Sequence, residues 1–290
     1  MFAPTRVEYL QLFLVSISMP LYLIFVAVLI RYRNKNLFGP DFRALCLNLA
    51  LFDFMAIANM WIFYKFPHFG WLGLDSLASA YPAVAKLAVM TSWFSVLNQS
   101  LGISLITLNR FTGLVTPLRH ALIWNSRLVP YICASQWLFC GLMVSPMLPL
   151  QFSYLVDNST GQLVKPGWNN KFARSVYYRG TIFIFLAILL LNLLAYLLIF
   201  MKTRKAVEED ERRNGAPTAG RYDLKLALYG FCMFFIMFLY ISYAVVRALV
   251  PKDDVRVVYL MNIVYGLCSD VYSWSNPWLC LAVLNKHGRA

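Results

Sequence analysis

Apolar residues fall in seven long blocks along the chain, and shorter polar stretches separate one block from the next. A helix needs about 20 apolar residues to cross a bilayer, and all seven blocks reach that length. Strands of a membrane β-barrel alternate apolar and polar residues instead, so continuous blocks exclude a barrel. The pattern predicts an all-α membrane protein whose helices span residues 10–30, 44–63, 81–108, 129–150, 181–201, 226–250 and 257–284.

Composition agrees with a membrane protein of one domain, residues 1–290. Hydrophobic residues make up 60% of the chain and charged residues only 13%. Soluble domains are about half apolar and a quarter charged. We detect no internal repeat, which disfavours the secondary transporters that are built from duplicated halves.

The distribution of positive charge predicts how the chain is oriented. With an extracellular N-terminus, the cytoplasmic segments are 31–43, 109–128, 202–225 and 285–290, and they hold 16 of the 26 Lys and Arg residues. Cytoplasmic loops carry such an excess. Arg31, Arg33 and Lys35 follow the first apolar block, whereas a cleaved signal peptide has its charges before it. We therefore expect a multi-pass plasma-membrane protein with its C-terminus in the cytoplasm.

The chemistry of an enzyme or of a nucleic-acid-binding protein is not indicated. The net charge of +13 suits the anionic inner leaflet, and no soluble domain is present to bind nucleic acid. Only three histidines occur, all of them in loops or at helix ends, and the sequence has neither an HExxH nor a GxSxG motif. We expect no catalytic residues, no metal and no cofactor. The six cysteines all lie in predicted helices, so we expect no structural disulfide.

Four charged residues lie inside the apolar blocks: Asp53, Lys86, Arg247 and Asp270. Lys86 and Arg247 are near the extracellular ends of their helices, where long side chains reach the interface. Asp53 and Asp270 are deep, and such groups usually face the interior of the bundle or a water-filled cavity. Asp53 favours a functional role, whereas function and packing stay equally open for Asp270.

A glycosylation acceptor, Asn158-Ser159-Thr160, lies in the predicted extracellular loop 151–180. A second triplet begins at Asn98 inside a predicted helix and is expected to be silent. Modification of Asn158 would agree with the orientation that the charges predict.

Several motifs together resemble rhodopsin-like G-protein-coupled receptors, each on the corresponding helix. They are NLALFD at 48–53, LNRF at 108–111, TPLRH at 116–120, Trp137 with Pro146, and Asn276-Pro277. More closely, LNRFT at 108–112, PLRH at 117–120, IW at 123–124 and SNPW at 275–278 resemble the nematode serpentine chemoreceptors of the gamma superfamily. The run KFPHFGW at 65–71 resembles class V within that superfamily.

This resemblance implies a chemosensory receptor with seven helices, a small extracellular ligand and a cytoplasmic heterotrimeric G protein. It implies that Arg110, Pro117, Leu118 and His120 contact the G protein. It also implies a polar switch core of Asp53, Ser273, Asn276 and Pro277. Proline at 277 frees a backbone carbonyl and permits a kink, which serves either as a hinge or as packing only.

The ligand-pocket candidates come partly from helical spacing. Val89, Ser92, Trp93 and Val96 share one face of the third helix. Tyr240, Tyr243, Tyr265 and Asp270 lie at a matching depth on helices six and seven. An aromatic stripe is more often packing than pocket, so both interpretations remain.

The chain departs from the receptor pattern at several positions. Asn109 replaces the acidic residue before the arginine, and Asp223 is our candidate for a substitute partner of Arg110. The usual cysteine of helix three and the Cys-Trp-x-Pro sequence of helix six are absent, and Cys280 stands where a tyrosine is usual. Ser92 occupies the position of the carboxylate of amine receptors, which disfavours an amine ligand.

Two other functional classes remain. A small transporter or channel would use Asp53 and Asp270 to bind a coupling ion. A structural or trafficking membrane protein would not signal at all.

Overall fold

The computed structural model describes residues 5–31, 39–73, 76, 81–156, 163–214, 220–249 and 255–284. Seven long helices run through these residues, and we label them in chain order. They are α1 (Arg6–Arg31), α2 (Pro40–Asn59), α3 (Pro82–Val115), α4 (Leu128–Val144), α5 (Lys171–Asn214), α6 (Gly220–Leu249) and α7 (Val255–Leu284).

The helix ends differ from the hydropathy segments in several places, since α1 and α2 begin earlier than predicted and α3 continues to Val115. The segment 129–150 is too long, because α4 ends at Val144 and one 3-10 turn, Ser145–Met147, contains the helix-breaking Pro146. In addition, α5 and α6 extend well beyond their apolar blocks, so most of the expected loop 202–225 is helical. Charged residues support such extensions, as Arg204 and Glu208 pair across one turn at 2.9 Å.

The far end of α2 is irregular. A π-helix over Met60–Lys65 continues α2, followed by one α-turn, Phe66–Phe69, and a 3-10 turn, Trp71–Gly73. Gly70 ends the α-turn with a φ of 66°, a left-handed conformation that glycine adopts at little cost. The segment that follows α2 therefore folds back tightly against the bundle.

A two-stranded antiparallel hairpin covers the same end of the bundle, which we call the hairpin end. Its strands are β1 (Phe152–Val156) and β2 (Leu163–Trp168), with Phe152 opposite Trp168. The Tyr154 hydroxyl donates a hydrogen bond of 2.8 Å to the Phe63 carbonyl, and burial raises the pKa of Tyr154 to about 12. The expected loop 151–180 is therefore this hairpin followed by the first turns of α5.

The helix α3 lies at the centre, since it packs against α2, α4, α5, α6 and both strands. On one side, α1 packs against α2 and α7. Large apolar side chains such as Phe13, Phe183 and Leu191 are more than 60% exposed around the outside of the bundle. Such an apolar belt suits lipid and not water.

Five helical stretches among the described residues are long and apolar enough to cross a membrane: Arg6–Arg31, Pro40–Phe69, Leu128–Met147, Lys171–Lys205 and Leu228–Val246. The helices α3 and α7, with 34 and 30 residues, are also long enough to cross a bilayer. Both carry buried polar residues, among them Asn98, Gln99, Asp270, Ser273 and Asn276. These polar residues face the interior of the bundle and not lipid.

Candidate functional site

A buried hydrogen-bond network surrounds Asp53 at mid-depth in the bundle. The Gln99 side chain of α3 donates to Asp53 Oδ1 at 2.7 Å and to Ser273 Oγ of α7 at 3.0 Å. The Tyr22 hydroxyl of α1 donates to the other carboxylate oxygen, Oδ2. Both oxygens of Asp53 therefore have donors, which is how a carboxylate is accommodated in an apolar bundle.

The network continues toward α6 through Asn276. The Asn276 amide donates to the Tyr22 hydroxyl at 3.3 Å, and its carbonyl oxygen accepts from the Tyr229 hydroxyl of α6. Pro277 is buried in the C-terminal third of α7 and has no N–H, so the helix loses the bond to the Ser273 carbonyl. Five helices thus meet at one set of hydrogen bonds, with a weakened turn of α7 beside it.

Of the predicted switch core, the structure places Asp53, Ser273, Asn276 and Pro277 together. Tyr22, Gln99 and Tyr229 belong to the same network but were absent from the sequence prediction. Gln99 was detectable as a long polar side chain in the middle of an apolar block. A tyrosine in a membrane helix carries no comparable signal, since tyrosine is common in these helices.

At the opposite end of α3, which we call the Arg110 end, Arg110 packs against α2. Its guanidinium lies 4.0 Å from the centroid of the Phe42 ring, a cation–π contact. Arg110 forms no ion pair with a carboxylate in the part of the chain that the structure describes. An aromatic ring therefore takes the place of a carboxylate beside this arginine.

A carboxylate does lie next to Asn109, and it is Asp41 in the first turn of α2. The Asn109 amide donates to Asp41 Oδ2 at 2.6 Å, and His120 Nε2 lies 3.6 Å from the same oxygen. Our sequence candidate, Asp223, has a side chain outside the described residues. Asp41 was missed because an acidic residue in a first helical turn is commonplace.

His120 lies in a short helix, Pro117–Ile123, that follows α3. Its Nδ1 lies 3.1 Å from Thr112 Oγ1, and the Trp124 indole donates to that same oxygen at 2.8 Å. The Leu118 side chain is 89% exposed, and Pro117 beside it is also exposed. His120 thus fixes the short helix to α2 and α3, while Pro117 and Leu118 project into solvent.

The pocket candidates of α3 make different contacts. Val89 and Val96 are buried in the apolar core. Ser92 accepts a hydrogen bond of 2.7 Å from Asn59 and lies 2.9 Å from the Tyr64 hydroxyl, so it joins α3 to α2. Trp93 packs edge-on against Tyr177 and Tyr178 of α5.

The aromatic candidates of α6 and α7 form one cluster. The ring centroid of Tyr265 lies 6.3 Å from that of Tyr240 and 6.2 Å from that of Tyr243. Tyr240 also stacks on Tyr272 at 5.0 Å, and the Tyr272 hydroxyl lies 3.1 Å from Ser100 Oγ of α3. This cluster therefore connects the hairpin-end half of the bundle to α3, one residue from Gln99.

Another buried polar group lies at the hairpin end, and the sequence did not predict it. Lys65, at the end of the π-helix that continues α2, forms an ion pair of 3.1 Å with Glu8 of α1, and both are almost fully buried. Thr5 and Glu8 exchange hydrogen bonds at the start of α1, as in a capping box. Asp270 of α7 is buried close to Lys65 and Trp61.

Between the Asp53 network and the Arg110 end, α5 and α6 approach each other closely. The Thr107 hydroxyl donates to the Tyr196 hydroxyl at 2.8 Å. A Cβ atom at Gly230 would lie only 2.4 Å from that same oxygen, so a larger residue there would displace the Tyr196 ring. Tyr196, Tyr229 and Gly230 line a narrow, mostly apolar crevice together with Leu49, Ile103, Ile106 and Met233.

Comparison with known proteins identifies the family. Residues 11–289 match the model of the serpentine type 7TM GPCR chemoreceptor family Srv. Serpentine receptor class V-1 of Caenorhabditis elegans is 23% identical over 278 residues, which cover 96% of this chain and 86% of the relative. This chain is an all-α membrane protein and belongs to the Srv family of serpentine seven-transmembrane chemoreceptors.

Proposed function

We propose that this chain binds a small extracellular ligand and activates a cytoplasmic heterotrimeric G protein at the plasma membrane. The supporting observation is the Asp53 network, because it joins α1, α2, α3, α6 and α7 through one buried carboxylate. A ligand that binds two packings of the bundle with different affinities shifts the population between them. We also propose that class V, and this chain with it, belongs to the gamma superfamily of serpentine chemoreceptors.

The Arg110 end is our proposed G-protein surface. Pro117 and Leu118 are exposed there, and Leu118 presents an apolar side chain on a helix whose base is fixed by His120. An exposed apolar residue next to Arg110 suits a groove on a partner protein. The hairpin end would then be extracellular and would carry the ligand entrance.

The orientation predicts glycosylation of Asn158, a position outside the described residues. A glycosidase should increase the gel mobility of the wild-type protein and leave an Asn158→Gln variant unchanged. The Asn98→Gln variant is the matched control and should behave as wild type, because Asn98 is buried in α3. An epitope in this loop that stains only permeabilised cells would refute the orientation.

At the Arg110 end, Asp41→Asn is expected to raise basal signalling severalfold. The change removes the charge that holds Asn109 and His120 against α2, and partly buried charged hydrogen bonds contribute about 1.5–3 kcal/mol. Basal G-protein activation in transfected cells, normalised to surface level, measures the effect. Asp41→Asn with wild-type basal activity would show that Asp41 does not restrain the receptor.

The alternative is a small transporter or channel that uses Asp53 and Asp270. The two carboxylates make different contacts, since Tyr22 and Gln99 donate to Asp53, whereas Asp270 lies beside Lys65 and Trp61. Ligand-evoked G-protein activation in transfected cells would support the receptor. Substrate flux in vesicles that contain no G protein would support the transporter.

A further inference from the structure

Three charged side chains are buried together at the hairpin end, between α1, α2 and α7. They are Glu8, Lys65 and Asp270, and none is more than 6% exposed. The Lys65 ammonium donates to Glu8 Oε1 and to Gln11 Oε1, both at 3.1 Å. Glu8 therefore neutralises Lys65, and both contacts come from α1.

The helix α7 presents a matching face to this group. A Cβ atom at Gly266 would lie 3.1 Å from Gln11 Nε2 and 3.4 Å from Lys65 Nζ, so α7 passes very close to both side chains. Asp270 follows Gly266 by four residues and lies on the same helix face. Lys65 acts on the Asp270 carboxylate through its charge, and the Trp61 indole N–H faces the same carboxylate.

Several atoms of this cluster have no hydrogen-bond partner among the described residues, although they are buried. They are both carboxylate oxygens of Asp270, Nε1 of Trp61 and Nε2 of Gln11. A buried carboxylate without donors is costly in an apolar bundle. The cluster thus holds two carboxylates, Glu8 and Asp270, and one ammonium, Lys65, so a second cation would balance its charge.

We propose that these side chains form a binding site for a small organic cation that carries a protonated amine. The ammonium would donate to Asp270 beside the Trp61 N–H, while Gln11 would donate to a polar atom of the same ligand. This proposal deepens the proposed function by naming the ligand class. Ser92 of α3 disfavours an amine only if α3 must supply the carboxylate, and here α7 supplies it.

The local backbone agrees with a binding role. Trp61 and Lys65 both lie in the π-helix Met60–Lys65. Single π-turns within α-helices occur frequently at functional sites. From this turn Lys65 reaches Glu8 of α1 and lies against Gly266 of α7.

The test measures thermal unfolding of the full-length protein, purified in detergent, without any G protein. The probes are the hydrochlorides of n-butylamine, n-pentylamine, benzylamine and 2-phenylethylamine, each compared with the alcohol of the same carbon skeleton and with sodium chloride. We expect at least one amine to raise Tm by several degrees, and neither its alcohol nor sodium chloride to do so. Equal shifts with the alcohol or with sodium chloride, or no shift with any amine, would overturn the proposal.

Matched variants locate the site. Asp270→Asn should weaken the amine at least tenfold, since it removes a charged hydrogen-bond acceptor. Glu208→Gln changes an exposed carboxylate of α5 and should bind as wild type. If Asp270→Asn does not fold, Trp61→Phe is the substitute variant. It keeps an aromatic ring but removes the indole N–H, and it should weaken amine binding severalfold. If the variant that folds binds the amine with wild-type affinity, the amine binds at another site and the proposal is wrong. Failure of G-protein activation would leave this binding result unaffected.

Discussion

Asp53→Asn is expected to reach the cell surface at the wild-type level and to change the half-maximal ligand concentration at least tenfold, or to abolish the response. Both oxygens of Asp53 accept hydrogen bonds, from Tyr22 and from Gln99. Asparagine keeps the shape but sets an N–H₂ group against one of these donors. Loss of a hydrogen bond to a charged group costs about 1.5–3 kcal/mol, which changes a two-state equilibrium about 10- to 150-fold.

The control for Asp53→Asn uses two tyrosines of α1. Tyr22→Phe removes the hydroxyl that donates to Asp53 and should reproduce part of the effect. Tyr9→Phe changes an exposed tyrosine of the same helix and should leave the dose–response curve unchanged. If Asp53→Asn matches wild type at equal surface level, the network does not control signalling.

Lys65→Met is expected to lower the stability of the protein most severely. The change leaves Glu8 buried without its cation, and removal of one partner of a buried pair costs about 3–5 kcal/mol. We expect a large loss of surface protein and a fall in Tm of the purified protein. When Glu8→Gln is combined with Lys65→Met, the unpaired charge is removed. The double variant should therefore recover part of the lost stability.

Lys171→Met is the matched control, because Lys171 is an exposed lysine at the same end of the bundle. It should change Tm by at most a degree or two. A Lys65→Met protein as stable as wild type would mean that the ion pair contributes nothing. A double variant no better than the single one would mean that the loss is due to packing around Lys65 and not to charge.

Some of the site could be predicted because an ionisable group in lipid is costly. That cost alone identifies Asp53 as a residue that faces the interior. Ser273 and Asn276 were found through the receptor motifs and a matching depth on α7. Helical periodicity gives the face of a residue and not its partner, so Tyr22 and Tyr229 could not be assigned.

The ion pair at the hairpin end illustrates the same limit. Lys65 lies just after the apolar block 44–63, where a lysine that reaches the interface is the simpler interpretation. Its partner Glu8 lies 57 positions earlier in the chain, and only the packing of α1 against α2 brings them together. The Thr5 and Glu8 spacing indicates a helix start but gives no hint of Lys65.

At the Arg110 end, the missing acid beside Arg110 was visible in the sequence as Asn109. The residue that compensates was not, because Asp41 acts from the next helix through Asn109 and His120. The β-hairpin was also missed, since its strands are short and lie in a segment that hydropathy marks only as polar. Both features depend on contacts between different helices and strands, and no local sequence pattern predicts such contacts.

The most direct test of the receptor proposal is guanine-nucleotide exchange on a heterotrimeric G protein in membranes that contain this chain. The same small-molecule panel is applied to membranes with wild-type protein, with Asp53→Asn protein and with none, and uptake of each active compound into sealed vesicles is measured in parallel. We expect at least one compound to stimulate exchange only with the wild-type protein, without uptake. Uptake that requires the chain but leaves nucleotide exchange at its basal rate would contradict the account and favour a transporter.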